Sequence, residues 1–360
     1  MDSAGVRSFI DAVPDFAHTL KILDARISEA PEFTAEIAHA ITSMPNLVFL
    51  AVTHPLPPEV VDHLASLPGL RQLRMELSDA DYHIKPGSPR RRFAALEELS
   101  VTIKQAEDTA LLALLEALTA PKVKWAGVYF SFNESKQYDR AVLPYYPSKA
   151  TMDTLFDLLA TFATLHTITV SVSPFRNYNT ESTVDLSTLF RLFVLRDLDK
   201  LDLSSINLRL MPDDIEQISL AWPYIRRLDL GSAAGYMDDR TRIKIQDLLP
   251  FAEHCPDLWS LGCQLSFPER PERPRKYTST KSQSSLSELQ CLNSTIHFSP
   301  ETSASLATIF PHAELYVGTS NPRNCLQADL INRTKDLFVR LRKEERNSVI
   351  NELKSFTSGM

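Results

Sequence analysis

The chain has 360 residues, of which 44% are hydrophobic and 23% charged, with a formal net charge of -7. This composition is ordinary for a soluble globular protein. Only nine glycines occur, well below the usual share of about 7%, and loops that cradle phosphates depend on glycine. The composition therefore argues against a nucleotide-binding α/β enzyme, and the overall acidity argues against a nucleic-acid partner.

The sequence indicates neither a secretory signal nor a membrane segment. Its first residues carry an early acid, Asp2, and have no apolar core of signal-peptide length. The longest apolar stretch, residues 111–118, is interrupted by Glu116 and is too short to span a bilayer. The four cysteines lie far apart without a CxxC pair, which is typical of a reducing compartment. We therefore expect a cytoplasmic or nuclear protein with no membrane partner.

A six-residue pattern, here called the hexad, recurs along the chain, with apolar residues at positions one, four and six. Most steps between hexads are 23 to 33 residues long, and one is 42. In five copies proline stands two residues before position one, where it ends a preceding helix. A frayed last copy surrounds Leu315. The ten clear or nearly clear copies are AHTLKI from Ala17, LVFLAV from Leu47, LRQLRM from Leu70, LEELSV from Leu96, VKWAGV from Val123, LHTITV from Leu165, LDKLDL from Leu198, IRRLDL from Ile225, LWSLGC from Leu258 and LSELQC from Leu286.

Helical patterns fill the intervals between hexads. Apolar residues recur at three- and four-residue spacing in each interval, which is typical of a helix with one buried face. We predict helices over residues 59–67, 106–118, 151–163, 183–195, 213–220, 240–251 and 300–310.

A short strand, a turn and a helix that repeat about every 30 residues predict an α/β solenoid. The hexads are expected to form a curved parallel sheet on the concave side, with the helices on the convex side and the apolar positions as a buried spine. We predict that the solenoid spans residues 1–318, with an insertion at 131–149 and a mobile loop at 268–285. Residues 319–360 are predicted to form a C-terminal helical cap or tail.

Three segments outside the repeat have two interpretations each. The tyrosine-rich insertion is either a binding loop or a loop that packs back on the sheet edge. Residues 268–285 carry both basic and acidic side chains and lack aliphatic residues, so we interpret them as solvated rather than as a nucleic-acid site. The amphipathic pattern after Gln327 indicates a helix that either caps the open end of the array or binds a partner.

The proline-led hexads MPNLVFL, LPGLRQL and CPDLWSL resemble leucine-rich repeats, in particular the repeat region of fungal F-box/leucine-rich-repeat proteins. That resemblance implies recruitment of a substrate protein to a ubiquitin ligase, with a Skp-type adaptor as partner if an F-box is present upstream. Residues 56–61, LPPEVV, imitate the opening of an F-box, but a repeat helix is due at this point and too few residues remain for the other F-box helices. The buried asparagine ladder of regular leucine-rich repeats is absent, so the repeats are degenerate.

No common catalytic or phosphate-binding motif occurs in the sequence. His254, Cys255 and Cys263 suggest metal ligands, but Cys263 occupies a spine position, which favours a small core residue. We therefore predict no catalytic, cofactor-binding or metal-binding residue and no enzymatic activity, with an acid cluster on the concave face as the rival enzymatic interpretation.

Candidate binding residues follow from strand geometry, because alternate side chains of a strand point to opposite faces. Positions three and five of each hexad should project from the concave sheet, where Asp202 should neighbour Asp229 and Lys200 should neighbour Arg227. These four charges either form a platform that a partner neutralises or neutralise one another. Trp125 and Tyr129 would anchor a second, aromatic patch. The candidate partner-binding residues are Arg74, Glu98, Trp125, Tyr129, Lys200, Asp202, Arg227 and Asp229.

The sequence thus predicts a non-catalytic scaffold that holds a protein partner on its concave sheet. The resemblance makes it the substrate-binding part of an F-box-type ubiquitin-ligase receptor. The alternative is a stand-alone leucine-rich-repeat scaffold unrelated to ubiquitination.

Overall fold

The computed structural model describes residues 8, 12–13, 15–25, 34–53, 56–78, 91–104, 108–131, 147–172, 184–233, 243–267, 285–292, 294, 300–318 and 322–358. The chain divides into two units, Met1–Lys200 and Leu201–Met360. Nearly all of the predicted insertion at 131–149 and of the predicted loop at 268–285 lies outside the described residues. The predicted boundary between a solenoid (1–318) and a cap (319–360) stays a prediction.

The strands of the first unit lie side by side in one parallel sheet, in the order β1-β2-β3-β5-β7-β8. A separate parallel pair joins β4 to β6. The backbone oxygen of His166 accepts the N–H groups of Asp199 and Lys200, which adds the start of the next strand. The strands are β1 (Ile22–Ala25), β2 (Phe49–Val52), β3 (Gln72–Ser78), β4 (Arg91–Arg92), β5 (Glu98–Lys104), β6 (Leu118–Thr119), β7 (Trp125–Ser131), β8 (Thr167–Val172) and β9 (Val184–Asp185).

The register of these strands confirms the hexad frames from Leu47 to Leu165. Position four of one hexad pairs with position four of the next, as in Leu50 with Leu73 and Leu73 with Leu99. From Leu47 onward every spine position is buried, and none is more than 4% exposed. This dry column of apolar side chains is the main stabilising feature that the repeats share.

The frame predicted for the first hexad is wrong by three residues. Leu23, and not Leu20, pairs with Leu50, so the hexad begins at Leu20. Ile22, which we expected in the spine, is 65% exposed at position three. The apolar pattern fits both frames, and only pairing with β2 decides between them.

Helices connect the strands of the first unit, and all except the one over Thr34–Thr42, which is not predicted from the sequence, lie where the periodicity predicts them. Helix α2 begins at Pro58, and proline is common in the first helical position because it has no N–H to leave unpaired there. It buries Val60, Val61 and Leu64, so residues 56–61 open a repeat helix as the spacing indicated. The helices are α1 (Thr34–Thr42), α2 (Pro58–Ser66), α3 (Asp108–Ala117), α4 (Lys149–Ala160) and α5 (Leu186–Leu189), the last continued by a 3₁₀ turn over Phe190–Val194.

The carboxylate of Asp185 links helix α5 to helix α4 through hydrogen bonds. It caps α5 by accepting the N–H groups of Ser187 and Thr188, and it also accepts a 2.7 Å hydrogen bond from Lys149 Nζ. Partial burial would raise the pKa of Asp185, but the hydrogen bonds from Lys149 and Ser187 outweigh it and lower the pKa below its usual value. The charged form of Asp185 is therefore the one that the fold stabilises.

The second unit repeats the same arrangement. Its strands β12, β13, β14 and β15 pair in parallel and in chain order, and the backbone oxygen of Asp229 accepts the N–H of Leu203, which adds β10. Among the described residues, eleven strands belong to this repeating parallel arrangement, and the short strands β4, β6, β9 and β11 do not. The frayed copy around Leu315 is a true strand. The elements are β10 (Lys200–Asp202), β11 (Leu208–Arg209), β12 (Arg227–Leu230), β13 (Ser260–Cys263), β14 (Glu288–Gln290) and β15 (Glu314–Tyr316), with α6 (Pro212–Ala221), a 3₁₀ turn over Ile245–Leu248, α7 (Leu249–His254), α8 (Pro300–Ile309) and α9 (Pro322–Ser358).

Helix α9 covers the edge of the sheet at β15. The side-chain amide of Asn332 donates to the backbone oxygen of Leu315 and accepts from its N–H, at 3.2 and 3.0 Å. Nearby, Lys335 is 3% exposed and donates to the backbone oxygen of Ala313. The helix side chains therefore satisfy the backbone groups that an edge strand leaves open. None of the helices in the described parts of the chain is long and apolar enough to cross a bilayer.

In both units, then, parallel strands and covering helices alternate along the chain in a solenoid of strand–helix repeats. The predicted α/β architecture is confirmed.

Candidate functional site on the open face of the sheet

The face of the sheet that carries positions three and five is here called the open face. In the first unit it brings together side chains from β3, β5 and β7, the three longest strands. Glu98 pairs with Trp125 across neighbouring strands, and Arg74 pairs with Ser100. Tyr129 stands two residues beyond position five of its hexad, on the same face. Four of the eight candidate residues therefore lie on three adjacent strands.

Two aromatic rings close over a glycine on β7. A Cβ atom placed on Gly127 would lie 2.5 Å from Trp125 Cη2 and 2.8 Å from Tyr129 Cε2. Both rings thus occupy the space that a side chain at position 127 would fill. Because both are only half-buried, they present an aromatic surface to the outside, which is the kind of surface that often anchors a protein partner.

Arg74 places a positive charge beside this aromatic surface. Its side chain is exposed, and its guanidinium carbon lies 5.7 Å from the ring centre of Phe49 on β2. Within the described residues, no carboxylate is paired with this guanidinium. The contact with Phe49 positions the guanidinium through its face. The N–H groups of Arg74 can therefore donate hydrogen bonds to a ligand.

These groups surround a pocket of about 380 Å³. Its size is at the lower end of the range for small-ligand pockets. Its lining is mixed, with a cation, a carboxylate, hydroxyl groups and two rings. The lining residues are Ala51, Val52, Thr53, Arg74, Met75, Glu76, Ser100, Thr102, Trp125 and Tyr129.

The charge that the pocket offers to a ligand is positive. Glu76 is only 7% exposed and is already engaged in a contact of its own. Arg74, by contrast, is exposed. The ten described residues that line the pocket include neither histidine nor cysteine. The arrangement is therefore suited to binding an anionic group next to a flat or apolar one.

In the second unit, Asp229 is enclosed by the sheet. It is 4% exposed, and its two carboxylate oxygens accept from the N–H and the O–H of Ser232, at 2.9 and 2.7 Å. Between them Gly231 adopts a φ of 79°, which a side chain would disfavour. Gly262 on the neighbouring strand leaves room for the carboxylate, because a Cβ there would lie 2.7 Å from Oδ1 and closer still to Oδ2.

Burial raises the pKa of Asp229, and the charge of Asp202 raises it further, against the Ser232 hydrogen bonds and the charge of Arg227. The two acids are thus neighbours, as the repeat predicts, but they are not equivalent. Asp202 and Arg227 are half-buried at the surface, whereas Asp229 is internal. The geometry therefore favours Asp202 and Arg227 over Asp229 as contacts for a partner.

Lys200, the last residue of the first unit, is half-buried as well. The charged platform stays a prediction.

Glu76, Ser100 and Thr102 line the pocket but are not among the residues predicted from the sequence. Ser100 stands at position five of its hexad, and the signal for Glu76 and Thr102 is the seventh position of the long strands, which lies on the open face like positions three and five. Glu76, Thr102 and Tyr129 occupy this position on paired strands. Of these three, only Tyr129 is a predicted candidate, on account of its ring.

Cys255 is not arranged as a metal ligand. Its Sγ lies 3.5 Å from the backbone oxygen of Ser219, and burial raises its pKa to about 12. In the described portion of the molecule, no three His, Cys, Asp or Glu side chains gather in a way that could hold a metal ion.

No family model and no curated protein matches the chain. Among solved structures, it is similar to a leucine-rich-repeat protein of Leptospira interrogans, with 14% identity and a TM-score of 0.35 over 88% of this chain and 84% of that one. A likeness at this level carries no argument about function. The parallel register and the buried hexad spine define the class on their own, an α/β solenoid of strand–helix repeats.

Proposed function

We propose that the chain is a non-catalytic protein-recognition scaffold that binds an extended, acidic peptide segment of its partner in the open-face pocket. The observation that carries this proposal is the exposed Arg74 guanidinium beside the half-buried rings of Trp125 and Tyr129. A guanidinium is the side chain best suited to a carboxylate, which it can bind through two parallel hydrogen bonds.

The aromatic rings supply the second part of the recognition. An apolar or aromatic side chain of the peptide would lie on Trp125 and Tyr129, while a neighbouring aspartate or glutamate would reach Arg74. The hydroxyl groups of Ser100 and Thr102 on β5 supply polar contacts on the pocket wall. Such a combination of an aromatic anchor and a neighbouring arginine is typical of interface hot spots.

The experiment begins with selection of peptides from a random display library on the immobilised full-length chain. We expect enrichment of aspartate or glutamate near an aromatic or aliphatic residue. Binding of a selected peptide is then measured by fluorescence anisotropy for the wild type and for Arg74→Gln. Loss of a hydrogen bond between charged groups costs about 1.5–3 kcal/mol, so the Kd should rise about 10- to 100-fold.

The matched control is Arg71→Gln. Arg71 belongs to the same hexad, but its side chain is 65% exposed, lies 4.0 Å from the carboxylate of Glu97 and does not line the pocket. Its removal should leave the Kd unchanged. Equal affinities for the wild type and Arg74→Gln, or selected peptides without acidic residues, would overturn the proposal.

For the biological role, we propose that the chain recruits a substrate protein to a ubiquitin ligase through a Skp-type adaptor. This proposal rests on the resemblance of the proline-led hexads to fungal F-box/leucine-rich-repeat proteins. The alternative is a stand-alone scaffold with the same pocket and no link to ubiquitination.

A pull-down of the tagged full-length protein from its own cells separates the two roles. Recovery of a Skp-type adaptor supports the ligase role, and its absence while other partners are retained removes that role. The peptide-binding result is independent of this outcome, because it tests only the pocket.

A further inference from the structure

Helix α9 has two opposite faces with different surroundings. Its inner face lies against the second unit, with Ala328, Ile331 and Lys335 at most 4% exposed. Its outer face carries four leucines that remain open: Leu326 is 66% exposed, Leu330 44%, Leu337 56% and Leu341 47%. At about 100° per residue these four lie within roughly 60° of one another around the helix axis. They therefore form one narrow apolar stripe, here called the leucine stripe.

The spacing of the leucine stripe is the same in both directions along the helix. Its steps are four, seven and four residues, so the stripe is symmetric about the point between residues 333 and 334. An antiparallel second copy of α9 centred on that point would place Leu326 against Leu341 of the second copy, and Leu330 against its Leu337. A twofold contact between identical chains requires a self-complementary surface, in which each residue meets its counterpart on the second chain.

The charges beside the stripe are self-complementary in the same arrangement. Asp329, Arg333, Asp336 and Arg340 are all exposed and flank the leucines on one side. In the antiparallel pair, this flank of one helix lies beside the same flank of the other. Arg340 then comes within about one helical half-turn of Asp329 of the second copy. Arg333 and Asp336, nearer the centre, already have partners in their own helix, Asp329 at 2.9 Å and Lys335 at 3.2 Å. Opposite charges thus face one another at both ends of the contact.

From the stripe and its flanking charges we infer that the chain forms an antiparallel homodimer through α9. Four leucines on each side make a small interface compared with stable protein complexes. The dimer is accordingly reversible and depends on protein concentration.

Sedimentation equilibrium of the full-length chain over a wide concentration range tests the inference. The mass of the wild type should rise from one chain towards two, and Leu330→Glu/Leu337→Glu should weaken association at least tenfold. The control is Leu220→Glu, which changes a leucine of similar exposure, 49%, on α6 and should dimerise like the wild type. Because the changed leucines point outward, circular dichroism should show the same fold for all variants.

Cysteine cross-linking then tests the orientation, in a background with Cys325→Ser. In the antiparallel pair, chains with Leu330→Cys should cross-link to chains with Leu337→Cys, and neither variant should cross-link to itself efficiently. Efficient self-linking of either variant alone would indicate a parallel pair and overturn the inference. A wild type that stays monomeric at every concentration, or a double glutamate variant that dimerises as well as the wild type, would also overturn it.

Discussion

Adding one methyl group at Gly262 should destabilise the second unit through Asp229. The new Cβ would lie 2.7 Å from Asp229 Oδ1 and nearer to Oδ2 and Cγ, inside van der Waals contact. The carboxylate is buried and held by two hydrogen bonds from Ser232. It cannot move away without giving up at least one of them.

The size of the effect follows from those two hydrogen bonds. A hydrogen bond to a charged group contributes about 1.5–3 kcal/mol, and exchanging glycine for alanine in an extended strand returns about 0.4–1 kcal/mol through the unfolded state. We therefore expect Gly262→Ala to lower the free energy of unfolding by about 2–4 kcal/mol, since displacement weakens both bonds.

Urea unfolding followed by circular dichroism measures this loss, and a double-mutant cycle assigns it. In an Asp229→Ala background there is no carboxylate to displace, so Gly262→Ala should be neutral or slightly stabilising. The coupling energy between the two sites, the difference between the two costs, should thus be about 2–5 kcal/mol. Gly69→Ala is the matched control, because a Cβ there would meet only the backbone oxygen of Leu47 at an ordinary 3.6 Å.

If Gly262→Ala costs the same free energy with and without Asp229, the reasoning about the enclosed carboxylate is wrong. A Gly262→Ala protein with full stability and impaired partner binding would contradict it in another way. That result would mean that Asp229 contacts the partner directly, as a member of the charged platform.

Three further outcomes are expected. Asp185→Ala should lower the free energy of unfolding by about 1 kcal/mol, because it removes a helix cap. Folding lowers the pKa of Asp185, so its contribution to stability should be complete above its ordinary pKa and should vanish as the pH falls through the pKa of the folded state. Urea unfolding at several pH values checks this, with Asp185→Asn as the control that keeps a capping oxygen. Asn332→Ala should leave the N–H and C=O of Leu315 unsatisfied and cost about 1–3 kcal/mol; faster amide exchange at β15 would show the exposed edge, and unchanged exchange would contradict it. A thiol reagent should label Cys325 in the folded protein well before the buried Cys255, whose pKa is raised to about 12; equal rates would contradict the buried position.

Most of the register was predictable because a buried spine tolerates only apolar side chains at fixed spacing. The structure uses the predicted frame for every hexad from Leu47 to Leu286, and that frame buries all three spine positions of each. At the first hexad two overlapping frames are equally apolar. There the choice depends on Leu50 of the next strand, which is information that a local pattern does not contain.

The pocket was less predictable than the sheet. Strand alternation places Arg74, Glu98 and Trp125 on the open face without knowledge of the structure. It does not say that β3, β5 and β7 extend to seven residues each, which is why Glu76 and Thr102 were overlooked. Nor does it say which acid is buried, because the burial of Asp229 depends on the absence of a side chain at Gly262, one strand away.

Glycine at position five has the same consequence at two places on the open face. The chain has few glycines, yet two of the open-face positions, Gly127 and Gly262, are glycine, and in each case a larger neighbour fills the empty space. At Gly127 the rings of Trp125 and Tyr129 fold inward and form the pocket wall, and at Gly262 the carboxylate of Asp229 is enclosed. Side chains on neighbouring strands normally pack against one another across the face of a sheet. Where one position is glycine, a neighbouring side chain can turn into the empty space and become buried, or the face becomes locally hollow. A glycine at position five in a repeat of this kind is thus a sequence signal for where the open face departs from a simple column of exposed side chains.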